Sequence, residues 1–284
     1  MEKSFIYNPW TEWPVKEYYP DLSKEKMIAI DLETCDVNLL THGSGWATGN
    51  GYITGIAVAT ENWEGYFPIA HRRGNFDKDK VMEWFKGVAN LECDKIFHNA
   101  PYDLGWLRNA GIKVKGKIHD TMISSALIDE NRYSYTLNSL AKEWLGKTKN
   151  EDVLIKAAKE FGADPKKEMY KLPAMYVGEY AEFDARLTYD LHQKNKKGIE
   201  KQRLSKIYDL ETRLQPCLID MRAKGVRVDL EKAEKARKIL SAKEKEIMHE
   251  IKKTCGLDVE IWAAASIEAR APNIKTYNKS KRVG

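Results

Sequence analysis

No apolar run in this 284-residue chain approaches the ~18 residues that a membrane-crossing helix requires, so no helical span is expected within it. The first 26 residues mix Trp, Tyr, Pro, Asp and Glu, without a basic start leading into an apolar stretch, so no secretory leader is expected. Cysteine is sparse. Cys35, Cys93, Cys217 and Cys255 lie far apart and form no C-x-x-C pair, and the six histidines offer no zinc-ligand spacing. Reduced thiols in a cytoplasmic compartment are expected. A strong charge bias is also missing: with a net charge of +5 the chain as a whole is not a basic tail, which leaves room for local patches that meet a polyanion. No internal repeat is visible. What is present, 43% hydrophobic and 31% charged residues, is the composition of a globular protein. The length suits one large domain, or one with a smaller appendage.

After an N-terminal extension (1–26), the run MIAID (27–31) is short, apolar and closed by an acid, as a buried strand would be. Residues 42–55 hold Gly43, Gly45, Gly49, Gly51 and Gly55, a loop composition. YITGIAVAT and GYFPIA read as two further strands, antiparallel with the first. FDKDKVMEWFKGVA carries Val81, Met82, Trp84, Phe85 and Val88 at helical spacing. KIFHN is a fourth strand, PYDLGWLRNAG a helix stopped by Gly111, and KGKIHD a short fifth strand. From Thr121 to about Lys197 the signals are mostly helical, broken at Gly146, Gly162 and Pro173. The pattern predicts an α/β fold, a mixed five-stranded sheet flanked by helices, over residues 27–198. A smaller helical segment (199–284) follows, in which LETRLQPCLIDMRAKG ends in a glycine stop and Asp229 caps a helix reaching Cys255. The last 15 residues carry five basic side chains and no acid, the composition of a mobile tail.

Five residues carry the chemistry: Asp31 and Glu33 in MIAIDLETCD, Asp103 in FHNAPYDLGWL, and Tyr180 with Asp184 in VGEYAEFDARL. Magnesium-like cations prefer oxygen ligands, and a two-ion site needs carboxylates from several elements on one spot. Positions i and i+2 of a strand share a face, so Asp31 and Glu33 aim together; positions i and i+4 of a helix do the same for Tyr180 and Asp184. Asp103 opens a helix, where the dipole favours a carboxylate. D-x-E by itself is weak, because it recurs at 31–33, 209–211, 229–231 and 258–260; of these only 31–33 closes a strongly apolar strand. Y-x-x-x-D occurs once, at 180–184. A phenol with a pKa near ~10 is a poor base at neutral pH, which gives Tyr180 an orienting role toward an attacking water.

DLET, HNAPYD and the Y-x-x-x-D segment together resemble the three exonuclease motifs of the DEDDy 3′–5′ exonucleases. More narrowly, they resemble the proofreading domain of family A, DNA polymerase I-type enzymes, especially those of phages. The D-T-M segment and leucine-bearing helix in HDTMISSALIDENRYSYTLNSLAKEWLG extend the likeness over roughly residues 27–197. The resemblance implies a ribonuclease-H-like fold and two Mg²⁺ or Mn²⁺ ions. Asp31 would bridge the ions, Glu33 and Asp184 would complete one shell, and Asp103 would support the other. It also implies that Thr34, His98, Asn99 and Tyr102 lie near the 3′-terminal nucleotides of single-stranded DNA or a frayed end. Glu211, Leu214, Pro216, Met221, Gly225, Val226, Val228 and Asp229 are similar to the opening of the polymerase region in that family. The chain stops at Gly284 before any palm or fingers motif, so no polymerase active site is expected in it, and a polymerase domain or subunit would act in trans. The implied setting is the cytoplasm of a bacterium or phage-infected host.

Other signals are weaker. LGKT (145–148) lacks the first glycine of a phosphate loop and follows a helix. Asp120, beside His119, reads as a cap or core group, and Trp46 packs either on DNA or on the domain. Lys194, Lys196, Lys197, Lys201, Arg203 and Lys206, opposed by Glu200, form a solvated face or a backbone contact for nucleic acid. The function expected is 3′–5′ removal of nucleoside monophosphates from DNA. Two alternatives stay open: a DEDDy enzyme acting on RNA, as RNase D-like enzymes do, and a non-catalytic DNA-holding scaffold.

Overall fold

The computed structural model describes residues 11, 13, 14 and 17–256. The 258–260 D-x-E pair and the basic 270–284 segment lie outside the described residues. By packing, the chain divides into two compact units after Ala223.

In the first unit, β1 (Met27–Cys35) is followed by two single-turn helices, α1 (Leu39–His42) and α2 (Gly45–Thr48), then by β2 (Tyr52–Ala59) and β3 (Glu64–Pro68). Next come α3 (Lys78–Ala89), β4 (Asp94–Phe97), α4 (Ala100–Asn109) and β5 (Ile118–Asp120). The helical half comprises α5 (Thr121–Ile128), α6 (Leu137–Leu140), α7 (Asp152–Phe161), α8 (Gly178–Lys201) and α9 (Ser205–Lys224). The strands form one mixed sheet in the order β3-β2-β1-β4-β5. β1 pairs antiparallel with β2 and parallel with β4. Two sequence expectations need amendment. The first strand does not end at Asp31 but runs to Cys35, because β2 keeps pairing with it through Thr34–Ile53 and Cys35–Tyr52. The glycine-rich 42–55 segment is not all loop, since it holds α2 and the start of β2.

Strand alternation sorts β1 between two cores. Ile28, Ile30 and Leu32 face α3 and α4, where Val81, Phe85, Trp106 and Leu107 complete a bulky cluster. Ala29 faces the other way, joining Ala57 and Ala59 of β2 against Ala181, Ala185 and Tyr189 of α8. Small side chains on both surfaces let α8 lie close to the sheet. Asp31 and Glu33 continue the same odd-numbered face, so they point toward α8.

The sequence sets a boundary at residue 198, whereas the first unit extends to Ala223. Only a short turn at Gln202–Leu204, with Arg203 in the left-handed region (φ 59°), separates α8 from α9. α9 buries Tyr208, Thr212, Gln215 and Ile219. The N-terminal extension also packs in part: Leu22 is buried, and Trp84 donates its indole N–H to the Pro20 carbonyl at 3.0 Å. In the second unit, α10 (Leu230–Cys255) starts at Asp229, whose side chain accepts from the Lys232 amide, and ends at Gly256 in the left-handed region (φ 70°).

Candidate active site

Asp31 and Glu33 from β1 meet Asp184 from α8, with one carboxylate oxygen from each lying within 4.8 Å of the others. That separation approaches the ~4 Å between opposite oxygens around an octahedral Mg²⁺ ion. Glu33 and Asp184 are buried and Asp31 is half-buried. The β1–β2 register shifts between Glu33 and Thr34, so that Glu33 lies opposite Gly55 and Thr34 opposite Ile53. A Cβ on Gly55 would fall 2.0 Å from the Tyr66 hydroxyl, so only glycine admits that ring behind Glu33. Tyr66 in turn shares a 2.5 Å hydrogen bond with His71 Nε2.

Asp103 lies outside this three-carboxylate group but beside it. Its Oδ1 accepts the Leu32 backbone N–H at 3.0 Å, which ties the first turn of α4 to the strand between Asp31 and Glu33. α4 is seated by Trp46, whose ring lies where a Cβ on Gly105 would be, 2.2 Å from Cε2. Trp46 therefore packs on the domain.

The electrostatics follow from crowding like charges in a dry place. Burial, then the Asp184 charge, raises the Asp31 pKa to about 7, against the pull of Lys149. Burial and the charges of Asp31 and Asp184 raise Glu33 well above the usual range. Asp103 is raised by burial and by Asp31, and Asp184 by burial, opposed by Lys149. Tyr180 is pushed far up by burial and by Asp184, Glu33 and Asp31, so it remains a neutral phenol. The clustered carboxylates offer hard oxygen donors, which fit a Mg²⁺- or Mn²⁺-like ion and do not fit a thiolate- or imidazole-seeking metal.

The remaining sequence-derived residues lie near the end of β1 and around the junction of β4 with α4. Thr34 Oγ1 and the Tyr102 hydroxyl share a 2.7 Å hydrogen bond, and Tyr102 also donates to Asp36 at 3.1 Å. His98 Nδ1 lies 2.8 Å from the Thr121 hydroxyl, and burial lowers its pKa to about 4, so the ring is neutral. Asn99 is exposed at the start of α4 with φ 65°, a left-handed conformation that asparagine tolerates. Its N–H and that of Ala100 donate to Asp120, which also accepts from Met122 and Ile123 and caps α5. Asp120 thus has the capping role expected of it. His119 bridges Asp94 and the Tyr208 hydroxyl, away from the carboxylates.

Sequence reasoning missed Lys149. Its ammonium forms an ion pair with Asp184 Oδ1, lies over the Tyr180 ring 4.5 Å from the centroid, and donates to the Tyr180 hydroxyl at 3.4 Å. Nothing in the polar KTKN stretch distinguishes this lysine from a solvated one.

Comparison with known proteins agrees with this architecture. Residues 11–200 match the 3′-5′ exonuclease family model of A-type DNA polymerases. A DNA-directed DNA polymerase of Pseudomonas phage M6 is 34% identical over 268 residues, covering 90% of this chain and 40% of that protein. The chain therefore spans about two fifths of that relative's length. The solved POL domain of Pol1 from M. smegmatis, in complex with DNA primer-template and dNTP, gives a TM-score of 0.54 at 14% identity, covering 82% of this chain and 35% of that one. Escherichia coli RNase D, an exoribonuclease involved in structured RNA processing, gives 0.51 at 16% identity, covering 72% and 47%. At such identities the structural likeness speaks for the fold alone, which is ribonuclease-H-like. The family match extends over the sheet, α4 and most of α8, the elements that carry all five chemical residues. The chain belongs to the 3′-5′ exonuclease family of A-type DNA polymerases.

Proposed function

We propose that this domain hydrolyses the 3′-terminal phosphodiester of DNA and releases nucleoside monophosphates, as a proofreading exonuclease does. The observation that carries the reading is the convergence of Asp31, Glu33 and Asp184, with Tyr180 one turn before Asp184, from a strand and a helix distant in sequence. In this reading Asp31, Glu33 and Asp184 would hold one divalent ion, and Asp103 would support a second. Bound there, Mg²⁺ or Mn²⁺ would offset the phosphate charge and acidify a coordinated water. Tyr180, kept neutral, offers its hydroxyl as a hydrogen-bond partner to an attacking water. In the hydrolysis a water oxygen bonds to phosphorus as the bond from phosphorus to the 3′ oxygen of the preceding nucleotide breaks; the proton that the water loses passes to solvent, and the departing 3′ oxygen takes one up. Tyr102 and Asn99 offer a ring face and an amide to the terminal nucleotides, a combination that suits single-stranded or frayed ends. The basic, exposed Lys194, Lys197 and Lys201 of α8 suit a nucleic-acid backbone.

The phage polymerase likeness supports DNA as substrate, work beside a polymerase domain, and a place in the cytoplasm of a bacterium or infected host. Among the described residues no helix is long and apolar enough to cross a membrane. Incubation with 5′-labelled single-stranded DNA or matched RNA in Mg²⁺ or Mn²⁺ tests the reading. A ladder from DNA is expected, lost in Asp31→Ala and Asp184→Ala by about 10³-fold or more. Preference for RNA would transfer the domain to RNase D-like chemistry. No degradation by the parent chain would leave a DNA-holding scaffold. Nucleotide incorporation on a primed template is not expected.

A further inference from the structure

Lys149 sits in the 146–151 loop, where Lys147, Thr148 and Asn150 are exposed, yet its own side chain is only 6% exposed. Lysine ordinarily keeps its ammonium in water, and burying it costs rotamer freedom and solvation. Here the loss is offset by Asp184, by the face of the Tyr180 ring and by the Tyr180 hydroxyl. The same positive charge lowers the proton affinity of Asp31, Glu33 and Asp184. Asp184 belongs to the three-carboxylate group that suits a divalent ion. An ammonium in contact with Asp184 and a divalent ion in that group compete for the same lone pairs and repel each other.

We propose that Lys149 is the resident counter-cation of the Asp31–Glu33–Asp184 cluster, and that a divalent ion displaces it from Asp184 on binding. The inference rests on reading that cluster as the metal-holding site. A single ammonium on a four-carbon stem is suited to leaving, whereas a guanidinium fork would hold the carboxylate more firmly. A cavity of about 360 Å³ beside the site, lined in part by Lys149, Thr148, Asn150 and Glu179, gives the displaced ammonium a polar place to go. Lys149 is thus a positioning residue: it holds Asp184 and Tyr180 together until the ion arrives.

Calorimetric titration of the full chain with Mn²⁺ tests this, because the sign separates competition from simple support. Lys149→Met should bind Mn²⁺ about tenfold more tightly than the parent, the scale of one partly shielded ion pair, while melting at a lower temperature in EDTA. Lys149→Arg, which keeps the charge, should not show the gain. Equal or weaker Mn²⁺ binding by Lys149→Met would overturn the inference while leaving the metal site intact. No Mn²⁺ binding by either protein would overturn both. A second measurement needs no variant: acetylation of the parent chain followed by mass spectrometry. Lys149 should be protected in EDTA and become labelled when Mg²⁺ is added, and labelling indifferent to Mg²⁺ would refute displacement.

Discussion

Burial and three neighbouring carboxylates hold the Tyr180 hydroxyl in its neutral form far beyond physiological pH. A phenol in that state cannot take a proton from water, but it can direct one by hydrogen bonding. Tyr180→Phe keeps the ring under Lys149 and removes only the hydroxyl. It should lower kcat by about 10- to 100-fold, less than the upper range of a proton-transferring group, with KM and the shape of the pH–rate profile little changed. Loss of a limb of that profile would instead make Tyr180 a base. At this scale the sequence is informative where spacing is local. Glu33 follows Asp31 by one strand repeat, and Asp184 follows Tyr180 by one helical turn. Lys149 escapes such reading because its partner Asp184 is far along the chain, and a lysine in a polar loop has no periodicity to betray burial.

Among the elements, the junction of α4, α5 and α9 hangs on one carboxylate. Asp120 accepts backbone N–H groups from Asn99 and Ala100 at the start of α4 and from Met122 and Ile123 at the start of α5, as well as the Gln215 amide of α9 at 3.1 Å. Removing it orphans buried donors at two helix ends together. Asp120→Ala should cost about 2–4 kcal/mol in urea unfolding. By loosening Asn99 and Ala100 it should also weaken exonuclease activity, although it touches no carboxylate of the site. An unchanged denaturation midpoint would show that α4 is held without Asp120, by its core packing and the Asp103–Leu32 hydrogen bond. Element types were readable because apolar periods and glycine stops are local. The length of β1 was not, since strand ends depend on whether a partner continues to pair, and β2 pairs on to Cys35.

The first unit is organised by α8, whose alanines approach the alanine face of β1 and β2 and carry Asp184 to the sheet. α9 carries the first unit on from the expected limit at 198 to Ala223. We therefore propose 223 as the working domain limit. Thermal melting of residues 1–223 and of residues 1–198 compares the two limits. The longer piece should melt at the higher temperature, because the shorter one loses buried Tyr208, Thr212, Gln215 and Ile219. Equal midpoints would restore the boundary at 198. By itself the sequence determined which side chains could serve as ligands, their alternation on β1 and their one-turn spacing on α8, because backbone periodicity reaches only neighbours. The tertiary structure decided that these carboxylates converge, that Lys149 joins them, and that their proton affinities rise, because burial and Coulomb interaction act through space between groups far apart along the chain.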